Sequence, residues 1–250
     1  MGYPPVRRKL LPRSSGVVDC GFLPLLQSFQ KLQPGIEFEL TFVVNKMSKP
    51  IGQVDEASGD RLWSEDEYRG LEERFSFVKE VVFRPNQAGD IGGYDFGYRL
   101  LRGRGFSGDV LFVNSSVAGP RDHGWLRKYY DLFRLRADTG LCGTTVNMIP
   151  QHGYATLHHV QSWFLYSNMH VLGKVFGERL LNDPDMLKSK QDIILHGEIA
   201  ISQTILKAGY SICCSAFPEL SYRLGERWEY PFRLGWRTDA KLIHLANVIL

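Results

Sequence analysis

Up to residue 35 the hydrophobic and polar positions keep no sustained period, and only GVVDC, residues 16–20, reads as a short extended segment. From Ile36 the pattern becomes regular. IEFELTFVVN alternates and then turns fully apolar, as a strand entering a buried sheet does. In the polar, acidic stretch from Gly52 to Glu73, the segment DEYRGLEERF puts Tyr68, Leu71 and Phe75 at helical spacing, which predicts a surface helix. FVKEVVFRPN is a second strand, closed by Pro85 and Asn86, and NQAGDIGGYDFG reads as a glycine-rich turn opening a helix through YDFGYRLLRG. DVLFV, Asp109 to Val113, is a further strand, stopping on Asn114, Ser115 and Ser116 and then on Gly119 and Pro120. WLRKYYDLFRL places Leu126, Tyr129, Tyr130 and Phe133 on one helical stripe. CGTTVNMI and HHVQSWFLYS predict strands, Met169 to Leu181 a helix, and Asn182 to Pro184 a loop. HGEIAISQTILKAGYSICC predicts a helix stopped by Gly209 and a last strand. Strands alternating with helices predict an α/β fold, a three-layer sandwich around a mostly parallel central sheet.

Composition narrows the class. A chain of 250 residues with 44% hydrophobic and 23% charged residues can bury one sizeable core, which excludes wholesale disorder and collagen-like readings. Lys plus Arg number 30 against 27 for Asp plus Glu, and a net charge of +3 is too small a basic excess to predict a nucleic-acid partner. The four cysteines, Cys20, Cys142, Cys213 and Cys214, show no CxxC spacing, and the adjacent pair could bridge to itself only with strain, so a reducing, cytoplasmic setting is expected. No apolar run reaches the roughly 18 residues of a membrane span, so no transmembrane segment is expected, while peripheral membrane contact stays open. The opening RRKLLPRSS, basic and free of acids, leaves organelle targeting open.

Three polar clusters are candidates for chemistry. NQAGDIGGYDFG offers either a loop where small residues let backbone approach a phosphate or sugar, with Asp90 or Asp95 accepting from hydroxyls, or simply a tight turn with Asp95 near a helix N-terminus. It lacks GxGxxG and the P-loop Lys, so neither nicotinamide nor ATP chemistry follows. Asn114, Ser115 and Ser116 emerge at a strand's carboxyl end, where open α/β sheets bind ligands, and can hydrogen-bond a pyrophosphate without neutralising it; strand-end turn chemistry is the other reading. No metal ligand set is expected, and any Mn or Mg held with a nucleoside diphosphate would be held weakly. Glu198 is placed at a helix start, either as a dipole partner or as a carboxylate able to deprotonate a hydroxyl, with His196 two residues away able to share that role. The histidines at 152, 158, 159 and 170 lack metal-ligand spacing and read as structural or acceptor-lining. From Tyr222 to Arg237, aromatic residues interleave with arginines, which suits sugar stacking and anionic head groups as well as ordinary packing.

Taken in order, FRPNQAGDIGGYDFGYRLL, DVLFVNSSVAGP, HHVQSWFLYSN and HGEIAISQTILKAGYSI resemble the rhamnan-synthesis F-like family of glycosyltransferases over roughly residues 36–215. The resemblance is carried by Asn86 with Gly93 to Gly97, by Asn114 and Ser116 ahead of Gly119 and Pro120, by Gln161 to Phe164, and by Glu198 with Gly209 and Tyr210. Ser115 stands where the family usually has Asp, and Gly197 replaces the first of an acidic pair. The resemblance implies a GT-A-like domain over 36–221, an N-terminal extension over 1–35 that includes the short first strand, and an aromatic, basic C-terminal extension over 222–250. It implies an inverting glycosyltransferase that moves a sugar, with deoxyhexoses such as rhamnose among the options, from a nucleoside diphosphate to a hydroxyl of a glycan or lipid-linked glycan. Glu198 would be general base with His196 beside it; Asn86, Asp90, Asp95, Asn114, Ser115 and Ser116 would hold the donor; and His159, Gln161 and Trp163 would line the acceptor. A catalytically inactive GT-A-like glycan-binding or scaffolding module is the rival that Ser115 and Gly197 favour, and a methyltransferase built on the glycine-rich turn is a third reading.

Overall fold

The computed structural model describes residues 7–10, 17–46, 63–115, 117, 119–147 and 157–226. Strands β1 (Arg7–Leu10) and β2 (Val17–Cys20) form an antiparallel pair, so residues 17–20 are extended and lead into helix α1 (Phe22–Lys31). Strand β3 (Leu40–Lys46), helix α2 (Glu65–Arg74), strand β4 (Val78–Pro85) and helix α3 (Gly89–Gly103) follow. They are succeeded by β5 (Asp109–Val113), α4 (Trp125–Arg134), β6 (Thr139–Gly143), β7 (Val146–Asn147), β8 (His159–Val160), β9 (Phe164–Asn168) and α5 (Met169–Phe176). A short helix α6 (Lys190–Asp192) runs through a π-helical stretch, Ile193–Ile199, into α7 (Ala200–Lys207), and β10 (Ser211–Cys214) and β11 (Phe217–Tyr222) complete the described chain. None of the described helices is long and apolar enough to cross a membrane.

The fold is mixed α/β, but the expected mostly parallel central sheet is corrected. The five-stranded sheet runs β11-β10-β6-β9-β5, and only β6 and β10 pair in parallel; β5 with β9, β6 with β9 and β10 with β11 are antiparallel. The physical reason lies in the connections. Short turns join β10 to β11, and β9 inserts between β5 and β6 against the chain direction, whereas a parallel neighbour needs a long crossover. Strands β3 and β4 form a separate parallel pair, joined through α2.

Local chemistry accounts for the elements around this pair. Ser64 and Glu67 form a reciprocal capping box at the start of α2, with Glu65, Asp66 and Glu67 in its first turn and Arg74 in its last, matching the helix dipole at both ends. The apolar face of α1 buries Phe22, Leu25, Leu26 and Phe29, and Phe29 stacks on Trp125 with ring centroids 4.6 Å apart.

The segment expected to be a glycine-rich turn is helical from Gly89 onward. This helix face lies against β3, where a Cβ at Gly93 or Gly97 would stand at ordinary contact distance, 4.0 or 3.9 Å, from the Val43 side chain. Gly92 is tighter still, since a Cβ there would come 2.0 Å from the Gln87 carbonyl oxygen and 2.7 Å from the Arg84 guanidinium. That guanidinium is buried, donates to the carbonyls of Gln87 at 2.6 Å and Gly89 at 3.4 Å and to the Asn45 side chain, and so ties the ends of β3 and β4 to the first turn of α3.

Candidate functional site

The carboxyl ends of β3, β4 and β5 converge on the first turn of α3. Asn45 ends the apolar run of β3 and donates to the Gly89 carbonyl at 3.4 Å, while Asn114, the residue after β5, donates from Nδ2 to the Asp90 carboxylate at 3.1 Å. Asp90, Asn114 and half-buried Ser115 lie on the wall of a cleft of 1670 Å³ that extends between β3 and β5, with Asn45 and Tyr94 also lining it. This is the strand-end crevice where α/β proteins hold ligands.

The turn Gln161–Trp163, between β8 and β9, connects that crevice to Glu198. The Asn114 backbone N–H donates to the Trp163 carbonyl at 3.2 Å, and the Ser162 N–H donates to Oε1 of Glu198 at 3.1 Å, so adjacent residues of one turn hold the end of β5 and the carboxylate. Tyr94, on α3, clamps the same turn by donating its hydroxyl to the Ser162 carbonyl at 2.8 Å. Burial pushes the Tyr94 phenol well above its ordinary range, and the negative charges of Asp90 and Glu198 push it the same way. Trp163 is fixed by donating Nε1 to Thr144 at 2.7 Å, and Gln161 by a backbone bond to the Thr145 carbonyl at 3.2 Å.

Glu198 does not start a helix. It lies inside the π-helical stretch, and the dipole-partner reading falls with its expected position. A π-turn widens the helix by one residue and re-aims the side chains it carries, a device common at functional sites. Gly197 beside it packs against Ile91 of α3, a Cβ there coming 3.0 Å from the Ile91 side chain, so a larger residue would push the stretch away from the helix that carries Asp90 and Tyr94. The Glu198 side chain is 16% exposed.

The remaining expected site residues divide clearly. Asn86 is exposed on the loop between β4 and α3, and His196 is exposed on the π-helical stretch. Asp95, expected to hold the donor, is 2% exposed, accepts from the Leu181 N–H at 3.1 Å and from Arg99 at 3.1 Å, and faces Arg179 at 3.9 Å. Its helical position turns it into the fold, where it anchors the chain after α5. His159, expected to line the acceptor, is 1% exposed, with Nε2 at 3.9 Å from Oε1 of Glu198. Ser116, and the aromatic and basic run beyond Glu226, lie outside the described residues.

Tyr94 and Arg84 were not legible as site groups. For Arg84 a signal existed, a lone cation inside the apolar strand VVFRP; for the glycines it was the spacing of Gly89, Gly93 and Gly97 by four, which is a helix face. Asp90 is the single carboxylate in its cluster, beside an amide and a hydroxyl, and among the described residues no three His, Cys, Asp or Glu side chains gather as ligands. That donor set does not fit a tightly held divalent cation, which takes several carboxylate or carbonyl oxygens. Comparison with protein-family models, with curated proteins and with solved structures finds no match.

Proposed function

We propose that this chain is an inverting, nucleotide-sugar-dependent glycosyltransferase of GT-A-like type, resembling the rhamnan-synthesis F-like enzymes, with the donor in the strand-end crevice and Glu198 as general base. The observation that carries the reading is the common support of both halves of such a site: the turn Ser162–Trp163 bonds the Asn114 backbone with one carbonyl and the Glu198 carboxylate with the neighbouring N–H. Asn114 and Ser115 offer neutral hydrogen-bonding groups for a diphosphate, and Asp90 offers an acceptor for a ribose or sugar hydroxyl. The Ser162 N–H bonds Oε1 of Glu198, and Oε2 is the oxygen we assign to the incoming alcohol. In the transfer, Oε2 removes the alcohol's proton as its oxygen bonds to the anomeric carbon from the face opposite the diphosphate, and the electron pair of the breaking C–O bond leaves with the phosphate. Nothing in this sequence of steps passes through a metal.

The test is a panel of nucleoside diphosphate sugars, deoxyhexose donors among them, assayed for hydrolysis and transfer by wild type and by Glu198→Gln. Turnover by wild type that falls by about a hundredfold to ten-thousandfold in the variant is expected; equal rates in the two proteins reject Glu198 as base. The second reading, a GT-A-like module that binds without transferring, is favoured by Ser115, which puts a hydroxyl rather than a second carboxylate on the cleft wall that Asp90 and Asn114 share. Binding of a nucleoside diphosphate in calorimetry with no turnover of any donor would select it.

A further inference from the structure

Behind Glu198 lies a buried group that the reaction as written leaves unused. His159 is 1% exposed, and its Nδ1 sits 2.8 Å from the Leu157 carbonyl oxygen. A carbonyl only accepts, so Nδ1 carries the ring proton and donates it there, and in the neutral ring Nε2 is a bare lone pair. Nε2 has no hydrogen-bond partner among the described residues, and the polar atom it faces is Oε1 of Glu198 at 3.9 Å. An orphaned acceptor in a fully buried ring costs stability unless it has a use. A protonated carboxyl would satisfy it: rotation about the Glu198 side-chain bonds closes the gap of about 1 Å to a normal O–H···N bond.

We propose that His159 is a positioning and proton-holding partner of Glu198, taking up at Nε2 the proton that the carboxylate removes from a substrate hydroxyl. This rests on the reading of Glu198 as base. The balance is closed: the alcohol O–H breaks as Oε2 takes the proton, rotation of the Glu198 carboxyl brings that O–H to Nε2, an imidazolium then stands beside a restored carboxylate, and the proton leaves by the same carboxyl. Among the described residues, the other titratable groups on elements packed against β8 are Cys142 on β6, Cys213 and Cys214 on β10, and the exposed His196 of the π-helical stretch and Lys207 at the end of α7, while Ser202 and Gln203 of α7 and Asn147 of β7 carry no charge. Burial pushes the Cys142 and Cys214 thiols up, so they stay neutral. His158 lies next in the chain with its ring stacked on Tyr222 at 4.0 Å, and Tyr94 of α3 bonds the Ser162 carbonyl of the turn whose N–H holds Glu198.

Long-range 1H–15N spectra of the full chain at neutral pH test the pairing without any substrate. The expected result is the neutral His159 ring protonated at Nδ1, with an Nε2 resonance that moves in Glu198→Gln, where an amide N–H replaces the carboxylate, while the Nδ1 resonance stays. A ring protonated at Nε2, or at both nitrogens, or an Nε2 resonance indifferent to Glu198→Gln, overturns the proposal. Where the donor panel gives turnover, His159→Gln should lower kcat on the order of tenfold to a hundredfold at unchanged KM, less than loss of the base itself; a folded variant with unchanged kcat overturns it too. Absence of turnover in wild type would reject the transferase reading while the spectra still decide the pairing.

Discussion

Tyr94 shows how much one side chain can organise here. Its hydroxyl bonds the Ser162 carbonyl, and the next turn positions in space hold Glu198 on one side and the end of β5 on the other. Tyr94→Phe keeps the ring and its packing against Phe112 at 5.2 Å but leaves the carbonyl to find another donor. The expected cost is about 1 kcal/mol in urea unfolding, with a larger proportional loss in turnover than in stability, because a small displacement of the turn displaces the base. Asp95 behaves differently. Its carboxylate is buried and accepts from the Leu181 N–H and from Arg99, whose outer end is half exposed. Asp95→Ala should therefore destabilise by about 1–3 kcal/mol, with Asp95→Asn milder because an amide oxygen still accepts from Leu181. Nucleotide binding that fell in Asp95→Asn without any loss of stability would restore Asp95 to the site.

Among the elements, α3 separates what the sequence made legible from what it hid. The strands Leu40–Lys46, Val78–Pro85 and Asp109–Val113 are found where alternation and apolar runs predict them, and Glu65–Arg74 is the helix that Tyr68 and Leu71 announce. These elements obey local rules, since one face of each is buried and the polar ends carry breakers or caps. The glycine-rich segment breaks the local rule, because glycine is a poor helix former, yet at Gly92 the Gln87 carbonyl and the Arg84 guanidinium leave no room for a side chain. Tertiary packing overrode propensity, and the helix that starts at Gly89 carries Asp95 into the core. The split of HHVQSWFLYS into two short strands around the Gln161–Trp163 turn was hidden for the same reason, since Ser162 is drawn out of the ladder by Glu198, far away in sequence. Two substitutions on α3 check this account. Gly97→Ala puts a methyl at ordinary contact distance from Val43 and removes a flexible helical residue, so it should stabilise by about 0.5–1 kcal/mol. Gly92→Ala forces a methyl into the Gln87 carbonyl and the Arg84 guanidinium, and should destabilise by about 1–3 kcal/mol. Equal effects at the two positions would show that helix propensity alone governs the segment.

For the molecule as a whole, the separate β3–β4 pair and the five-stranded sheet are each pinned by carboxylates that folding makes more acidic. Glu80 on β4 is held below the usual carboxylate range by Arg104, which it meets with both oxygens just beyond α3, and by the Thr41 hydroxyl of β3 at 2.9 Å. Asp138, just before β6, is held down by Arg223 at 2.7 Å, just past β11, and by Ser211 of β10. Each group binds its proton less readily in the folded chain than in the unfolded one, so its contribution is complete above the ordinary carboxylate range and is lost as pH falls from about 4 downward. Both pairs are partly open to water, so each contribution is modest and is weakened by salt. The urea midpoint should therefore fall between about pH 7 and about pH 3, and Glu80→Gln should flatten part of that fall while lowering the midpoint at neutral pH. Glu80→Gln should leave the dependence due to Asp138 in place, since the two carboxylates share no partner and such sites add. A double variant, Glu80→Gln with Asp138→Asn, that kept the full acid dependence of wild type would show that other carboxylates, rather than these two pins, set the acid limit of the fold.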